Sequence, residues 1–336
     1  MKQVLSPKEL ALAIGVSESS LKRWADDGLI RVRRTAGGHR RIPIAEAIRF
    51  LRETEATLVR PEILGLPDVE AVSGDLPARE EEAGRLHAYL RDGHARRARG
   101  LILSMYLEGR SVADICDGPI RQAMQRIGEL WRQGPEGIFI EHRAVDICAQ
   151  AINLLRSTFP AAPGSAPARA AAGIADDDDD ADADEHSGGR PVAVGGAPAG
   201  DPYMLPSLMA AASLEAEGFR AVNLGPNSPA EALLLAARHH QADLVWLSAS
   251  AEGLPPADLA GQIHTLLKGL SEIGLSLIIG GAALERIQPP TAANLHIGRS
   301  MAELVAFAKG IALAPKARSS SPPALAVHSK PTSNGD

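Results

Sequence analysis

Cysteine is nearly missing from this chain of 336 residues: Cys116 and Cys148 stand alone, neither in a Cys-x-x-Cys pair nor beside a second ligand type. That excludes a disulfide framework or structural zinc as the organising device and reads both thiols as buried on helices. No apolar run approaches the roughly eighteen residues that span a bilayer, and the opening MKQVLSPKEL has no signal-peptide core. A soluble, cytoplasmic protein without a membrane partner is expected. A Walker A lysine is absent, and Gly195-Gly196-Ala197-Pro198-Ala199-Gly200 lacks the Gly-x-Gly-x-x-Gly spacing of a dinucleotide turn. No nucleophile, base and orienting acid can be grouped, and His239-His240 has no third ligand. Neither an enzyme nor a metal site is expected.

The net charge of -6 misleads, because the run DDDDDADADE at 176–185 alone holds eight carboxylates. By contrast, the first sixty residues carry twelve Lys or Arg against seven Asp or Glu. Partners must therefore be read domain by domain.

The length predicts two or three cores. Residues 1–58 form the basic unit. Residues 59–78, with Pro61, Gly65, Pro67, Gly74 and Pro77, read as an irregular connector. Residues 79–159 read as a four-helix bundle. Ile120, Met124, Ile127 and Trp131 line one helical face, Ile138, Val145 and Ile152 with Cys148 and Leu155 line another, and two helices around Glu81 to Leu90 and Ala95 to Leu107 precede them. Glu141 falls on the inward stripe, where a carboxylate needs a hydrogen-bond partner. Residues 160–189 turn from Ala/Pro/Gly-rich to acidic, the composition of a disordered tether. Residues 190–314 carry five apolar runs (PVAVG at 191, FRAVNLG at 219, LVWLS at 244, LSLIIGG at 275, LHIG at 295) separated by helical patterns, which predicts a flavodoxin-like α/β domain with a five-stranded parallel sheet. The tail, 315–336, is expected to be disordered.

In the basic unit, Ser6-Pro7 opens a helix in which Leu10, Leu12 and Ile14 can pack. Gly15-Val16-Ser17 turns the chain, and Ser17 caps a second helix that presents Ser19, Ser20, Lys22 and Arg23 while Leu21 and Trp24 face the core. The stretch RVRRTAGGHRRI then reads as a hairpin whose tip, Ala36-Gly37-Gly38, carries cations on both arms. Gly15-Val16-Ser17, Trp24 to Gly28-Leu29, and Arg34-Thr35-Ala36-Gly37-Gly38-His39-Arg40-Arg41 occur in the order found in the MerR family, which this region resembles. The resemblance implies a winged helix-turn-helix that binds double-stranded promoter DNA as a homodimer or higher homo-oligomer. Lys22 and Arg23 suit the major groove; Arg31, Arg33, Arg34, Arg40 and Arg41 suit phosphates and the minor groove, with Thr35, Gly37, Gly38 and His39 at the tip.

The remaining parts resemble the CarH- and LitR-like branch of that family, repressors that follow the winged helix with a four-helix cap and a cobalamin-binding flavodoxin-like domain. The match is Trp131 followed after nine residues by Glu141-His142, which in that branch covers the upper face of the corrin. It continues in the frame Asp-x-His-x-x-Gly, Ser-x-Leu, Gly-Gly with Asp201, with Ser248-Ala249-Ser250, in which Ser250 stands at the Leu position, and with Gly280-Gly281. Three departures matter: Tyr203 replaces the cobalt-binding His, Pro206 replaces the Gly, and Arg132 stands where the light sensors place a second His. No cofactor is therefore certain. The resemblance implies either cobalamin without a protein histidine on cobalt, an effector-free dimerisation module, or another planar tetrapyrrole sensor; a corrinoid enzyme or carrier with an attached helix-turn-helix is the rival of another class.

Overall fold

A computed structural model describes residues 3–35, 37–131, 134–159 and 189–313, the side chain of Trp131 excepted. Arg132, the acidic run at 176–185 and the tail lie outside the described residues.

The chain begins with β1 (Val4–Leu5), α1 (Pro7–Ile14), α2 (Glu18–Asp26), β2 (Arg33–Arg34), β3 (Arg40–Pro43) and α3 (Ile44–Thr54). Ser6 caps α1 in a reciprocal box with Glu9, and Gly15 ends the helix at φ 72°. Ser17 caps α2 by accepting from the Ser20 N–H at 3.1 Å. β3 is the centre of a small antiparallel sheet ordered β1-β3-β2. Leu10, Ile14, Leu21, Ile30, Ile42 and Ile48 are buried, and the Trp24 ring packs on Phe50 with centroids 5.5 Å apart. Leu12, expected to pack, is 45% exposed: with Leu10 and Ile14 one turn apart on the inner face, a residue midway between them points outward.

The stretch expected to be irregular is instead built from two 3₁₀ turns, Pro61–Leu64 and Pro67–Val72, whose Leu64, Leu66 and Val72 are buried. The first lies against α1 and the second against α5 (Ala95–Leu107), where Gly100 lets the Asp68 carbonyl approach so closely that a Cβ would overlap it. Arg96 and Arg99 hold the Asp68 carboxylate at 3.2 and 2.6 Å. Around α5 stand α4 (Glu82–Asp92), α6 (Val112–Ile115), which runs through a π turn at Cys116–Ile120 into α7 (Arg121–Trp131), and the long α8 (Pro135–Arg156). Both thiols are buried, and burial raises them, Cys148 to about 12.

The last part is a five-stranded parallel sheet of β4 (Val192–Gly196), β5 (Arg220–Asn223), β6 (Leu244–Ser248), β7 (Ser276–Gly280) and β8 (Leu295–Ile297), ordered β5-β4-β6-β7-β8. It is flanked by α9 (Leu205–Ala216), α10 (Ala230–His239), α11 (Pro256–Ser271) and α12 (Met301–Leu313). The order reverses between β4 and β6, which defines the switch point of a doubly wound, Rossmann-like sheet. Each strand coincides with one of the five apolar runs in the sequence.

The two faces of the sheet carry buried clusters of their own, while the rest of the core is shared between the parts. One buried cluster runs from Leu5 and Leu21 through Leu64 and Val72 into α4–α8 and on to Leu205, Leu208 and Met209 of α9. Polar ties reinforce it. Arg52, at the end of α3, lies 3.9 Å over the Tyr106 ring and donates to the carbonyls of Tyr106, Gly109 and Arg110 at the end of α5. Arg156 forks onto Glu215 at 2.6 and 2.7 Å, joining α8 to α9. Asp117 of the π turn accepts from the N–H groups of Met301 and Ala302, so a carboxylate of the helical part caps α12 of the other. No helix among the described residues is long and apolar enough to cross a membrane.

Candidate functional site

Two surfaces gather the residues singled out in the sequence. The first is the face shared by α2 and the β2–β3 hairpin. Ser19, Lys22, Arg23, Arg31, Arg33, Arg34, Thr35, Gly37, Gly38, His39 and Arg41 are exposed there. The tip is shaped by Thr35, which exchanges backbone bonds with His39 and Gly38 and whose Oγ1 accepts from the His39 N–H at 3.2 Å; Gly38 takes φ 78°. Ser20 is half-buried, its hydroxyl 2.9 Å from Ser17, and belongs to the cap of α2. Lys22 pairs with Glu18 one turn earlier at 2.8 Å, a surface pair that holds little energy and yields readily.

Cross-strand register places Arg33 opposite Arg41 and Arg34 opposite Arg40. Arg40 differs from its neighbours. Its guanidinium reaches Asp26 at 2.5 Å and the Lys22 carbonyl at 3.2 Å, so it ties the hairpin to the end of α2 instead of projecting from the tip. Behind the hairpin, Glu46 of α3 is buried, accepts from the Arg31 N–H at 2.7 Å and from Arg49, and Arg49 in turn donates to the Leu29 carbonyl. Burial alone would raise Glu46, but these donors hold its carboxyl below the ordinary range, fixing the chain where it enters the hairpin. Sequence reasoning missed Glu46 and Asp26; a carboxylate inside the most basic segment was the available signal.

The second surface lies beyond the carboxyl ends of the strands, at the switch point. Asp201, in the loop after β4, is wholly buried. Its two oxygens accept from the N–H groups of Tyr203 at 3.0 Å, Ser250 at 2.6 Å and Ala251 at 2.9 Å, binding that loop to the one after β6. Gly280 and Gly281 close the third loop. Ala249 donates to the Gly280 carbonyl at 2.7 Å, Gly281 adopts φ 115°, and a Cβ on Gly281 would overlap the Ala249 carbonyl. Ser248 is buried at the end of β6. Pro206 sits in the first turn of α9, where its missing N–H costs nothing.

Tyr203 and Met204 stand 45% and 40% exposed at the rim of this crevice. The Tyr203 phenol is held above its ordinary range by burial first, then by the carboxylates of Glu141, Asp201 and Glu252. The structure thus brings Glu141 of α8 to the loop after β4. Glu141 is itself pushed up by burial, against which the exposed His142 at 3.5 Å pulls it down. Ile138, expected inside the bundle, is 36% exposed because it shares the rim-facing side of α8 with Glu141 one turn later. A phenol opposed by three carboxylates cannot readily become the anionic donor that a metal would need.

Residues 6–42 match the family model for MerR family regulatory protein, and residues 83–156 match that for a B12 binding domain. No curated protein matches the chain. Among solved structures, the monomethylamine corrinoid protein of Methanosarcina barkeri is similar at 17% identity over 70% of this chain and 100% of its own, with a TM-score of 0.46. The methanol:cobalamin methyltransferase complex of Methanosarcina barkeri is similar at 16% identity, covering 72% and 84% of the respective chains, TM-score 0.32. A cobalamin-binding protein of Desulfitobacterium hafniense DCB-2 is similar at 18% identity, covering 73% and 97%, TM-score 0.31.

Proposed function

We propose that this protein is a sequence-specific DNA-binding transcription regulator, a repressor, that reads a pseudo-palindromic promoter site as a homodimer or larger homo-oligomer. In this reading α1, α2 and the hairpin form a winged helix-turn-helix, with Arg23 of α2 toward base edges and the hairpin arginines toward phosphates. The observation that carries it is the Arg33–Arg41 cross-strand pair. Like charges directly opposite one another destabilise a hairpin, and no carboxylate among the described residues pairs with either arginine. DNA phosphates would supply the missing charge. The MerR-type match to residues 6–42 supports the same reading.

The four-helix bundle and the flavodoxin-like sheet then form an effector or oligomerisation module, derived from a cobalamin-binding domain that lacks the cobalt-ligating histidine. The helical wall fits a corrinoid, with Glu141 and Ile138 presented at the rim. The opposite wall does not, since Tyr203 offers no neutral nitrogen donor. No catalytic role is assigned. The test is fluorescence anisotropy of full-length protein on fragments of its own promoter region over a range of salt, with absorption spectra after purification from cobalamin-fed cells in the dark. One fragment is expected to bind roughly a hundred-fold or more tighter than random duplex; equal affinity for all fragments would sink the reading.

Because Arg40 is engaged with α2, Arg40→Ala should weaken DNA binding without reducing the salt slope. It should couple to Asp26→Ala by roughly 0.5–1 kcal/mol in a double-mutant cycle, discounted for exposure. A slope lowered by about one would place Arg40 on a phosphate instead.

A further inference from the structure

The sequence marks Tyr203 and Pro206, beside Arg132, as departures from a corrinoid site, but the structure holds a larger obstacle that the sequence motifs do not touch. Ligands of doubly wound sheets enter at the switch point, here between β4 and β6. Directly beneath that point, register pairs Gly195 of β4 with Trp246 of β6. The indole lies over Gly195 so closely that a Cβ there would overlap its ring carbons. It is 2% exposed and packs among Ala193, Ala210, Ala211, Leu214, Ile278 and Leu304, which places it in the layer between the sheet and helices α9 and α12. The small side chains at 193, 195, 210 and 211 leave the volume that the indole takes up.

Its Nε1 is buried with no hydrogen-bond partner. A buried Trp ordinarily finds one, so this side chain is placed for its size and shape and not for its donor. The nucleotide tail of cobalamin ends in dimethylbenzimidazole, a fused five- and six-membered aromatic like indole. We infer that Trp246 is a plug: the chain carries within its own core an isostere of the tail, and the sheet-to-helix layer below the switch point is closed to an inserted ligand. Any corrinoid or other planar tetrapyrrole then lies at the rim, against Tyr203, Met204, Ile138 and Glu141. The inference rests on the corrinoid-type reading of the module for its ligand, but not for the plug itself.

The consequence is specific: restoring the ligand residues alone is not enough. Full-length Tyr203→His/Pro206→Gly should not bind cobalamin through histidine, whereas the triple variant with Trp246→Ala added should bind at least about ten-fold tighter. It should also show histidine on cobalt, seen as a change in the cob(II)alamin EPR superhyperfine pattern when the protein carries isotopically labelled histidine. Histidine-ligated cobalt in the double variant, with Trp246 in place, would overturn the proposal. The plug is tested apart from corrinoid by adding free dimethylbenzimidazole to Trp246→Ala, or to the less drastic Trp246→Leu, and following the melting midpoint. Saturable stabilisation of the variant and none of the parent protein is expected, as for other apolar cavities created by truncation. A folded variant that ignores the base would refute the plug. If the variant takes the free base while the triple variant binds no corrinoid, the plug stands and the corrinoid-type reading of the module fails.

Discussion

Gly281→Ala should unfold the C-terminal sheet domain at temperatures where the parent protein is intact. Gly281 has φ 115° and ψ 160°, a region essentially closed to residues with a Cβ. The added methyl would also meet the Ala249 carbonyl, backbone that cannot swing aside, in the loop joined to Gly280 and Ala283 by hydrogen bonds. Backbone strain and overlap together place the cost at roughly 4 kcal/mol or more, among the largest single-residue effects. For a domain of this size that corresponds to a fall on the order of 10–20 °C in the melting midpoint by calorimetry. Gly274→Ala is the control: its φ is 70° but nothing lies within 4 Å of the new Cβ, so only the left-handed backbone is penalised, about 1–2 kcal/mol. Equal losses in the two variants would show that the contact with Ala249 plays no part.

Removing Arg33, Arg34 and Arg41 together should weaken DNA binding roughly a hundred-fold or more at physiological salt while leaving the fold slightly more stable. All three are exposed, and Arg33 faces Arg41 across the ladder, so their replacement by alanine relieves repulsion inside the hairpin. Each phosphate left without its arginine lowers the slope of log K against log salt by about 0.9, so the triple variant should drop by about 2.7 in that slope and by roughly a hundred-fold or more in affinity. Stability and binding moving in opposite directions separates this outcome from simple unfolding. An unchanged slope would mean that the hairpin does not touch phosphate.

The five strands were legible because parallel strands covered on both faces must be apolar throughout, a pattern that LVWLS and LSLIIGG state without ambiguity. The helix caps at Ser6 and Ser17 were legible because hydroxyls there serve local N–H groups within three residues. What escaped was set by contacts distant in sequence. The connector is ordered by Gly100, which admits the Asp68 carbonyl from about thirty residues away, while its prolines and glycines signal only irregularity. Arg40 reads as one more wing cation until Asp26 is found beside it. Trp246 hides in an apolar run, where the pattern records burial but not size, and its opposite number Gly195 gives no sign that an indole lies over it. The rim residues Glu141 and Tyr203 could be named from spacing; the electrostatic field around the phenol could not, because its carboxylates come from three separate segments.

The core that runs unbroken from β1 to α9 also sets where this protein can be cut and rejoined. Composition would place a seam near residue 58, yet Leu64, Leu66 and Val72 belong to the buried surface that joins the basic N-terminal unit to the helices after it, and Gly100 makes room for the Asp68 carbonyl beside Val72. A transplantable head therefore extends through Val72, and its recipient must offer a helix with a glycine facing the second 3₁₀ turn and carbonyls for Arg52 to grip. Chimeras spliced at 58 would pair each half with a foreign groove, so the basic N-terminal unit and the remainder of the chain should recombine poorly.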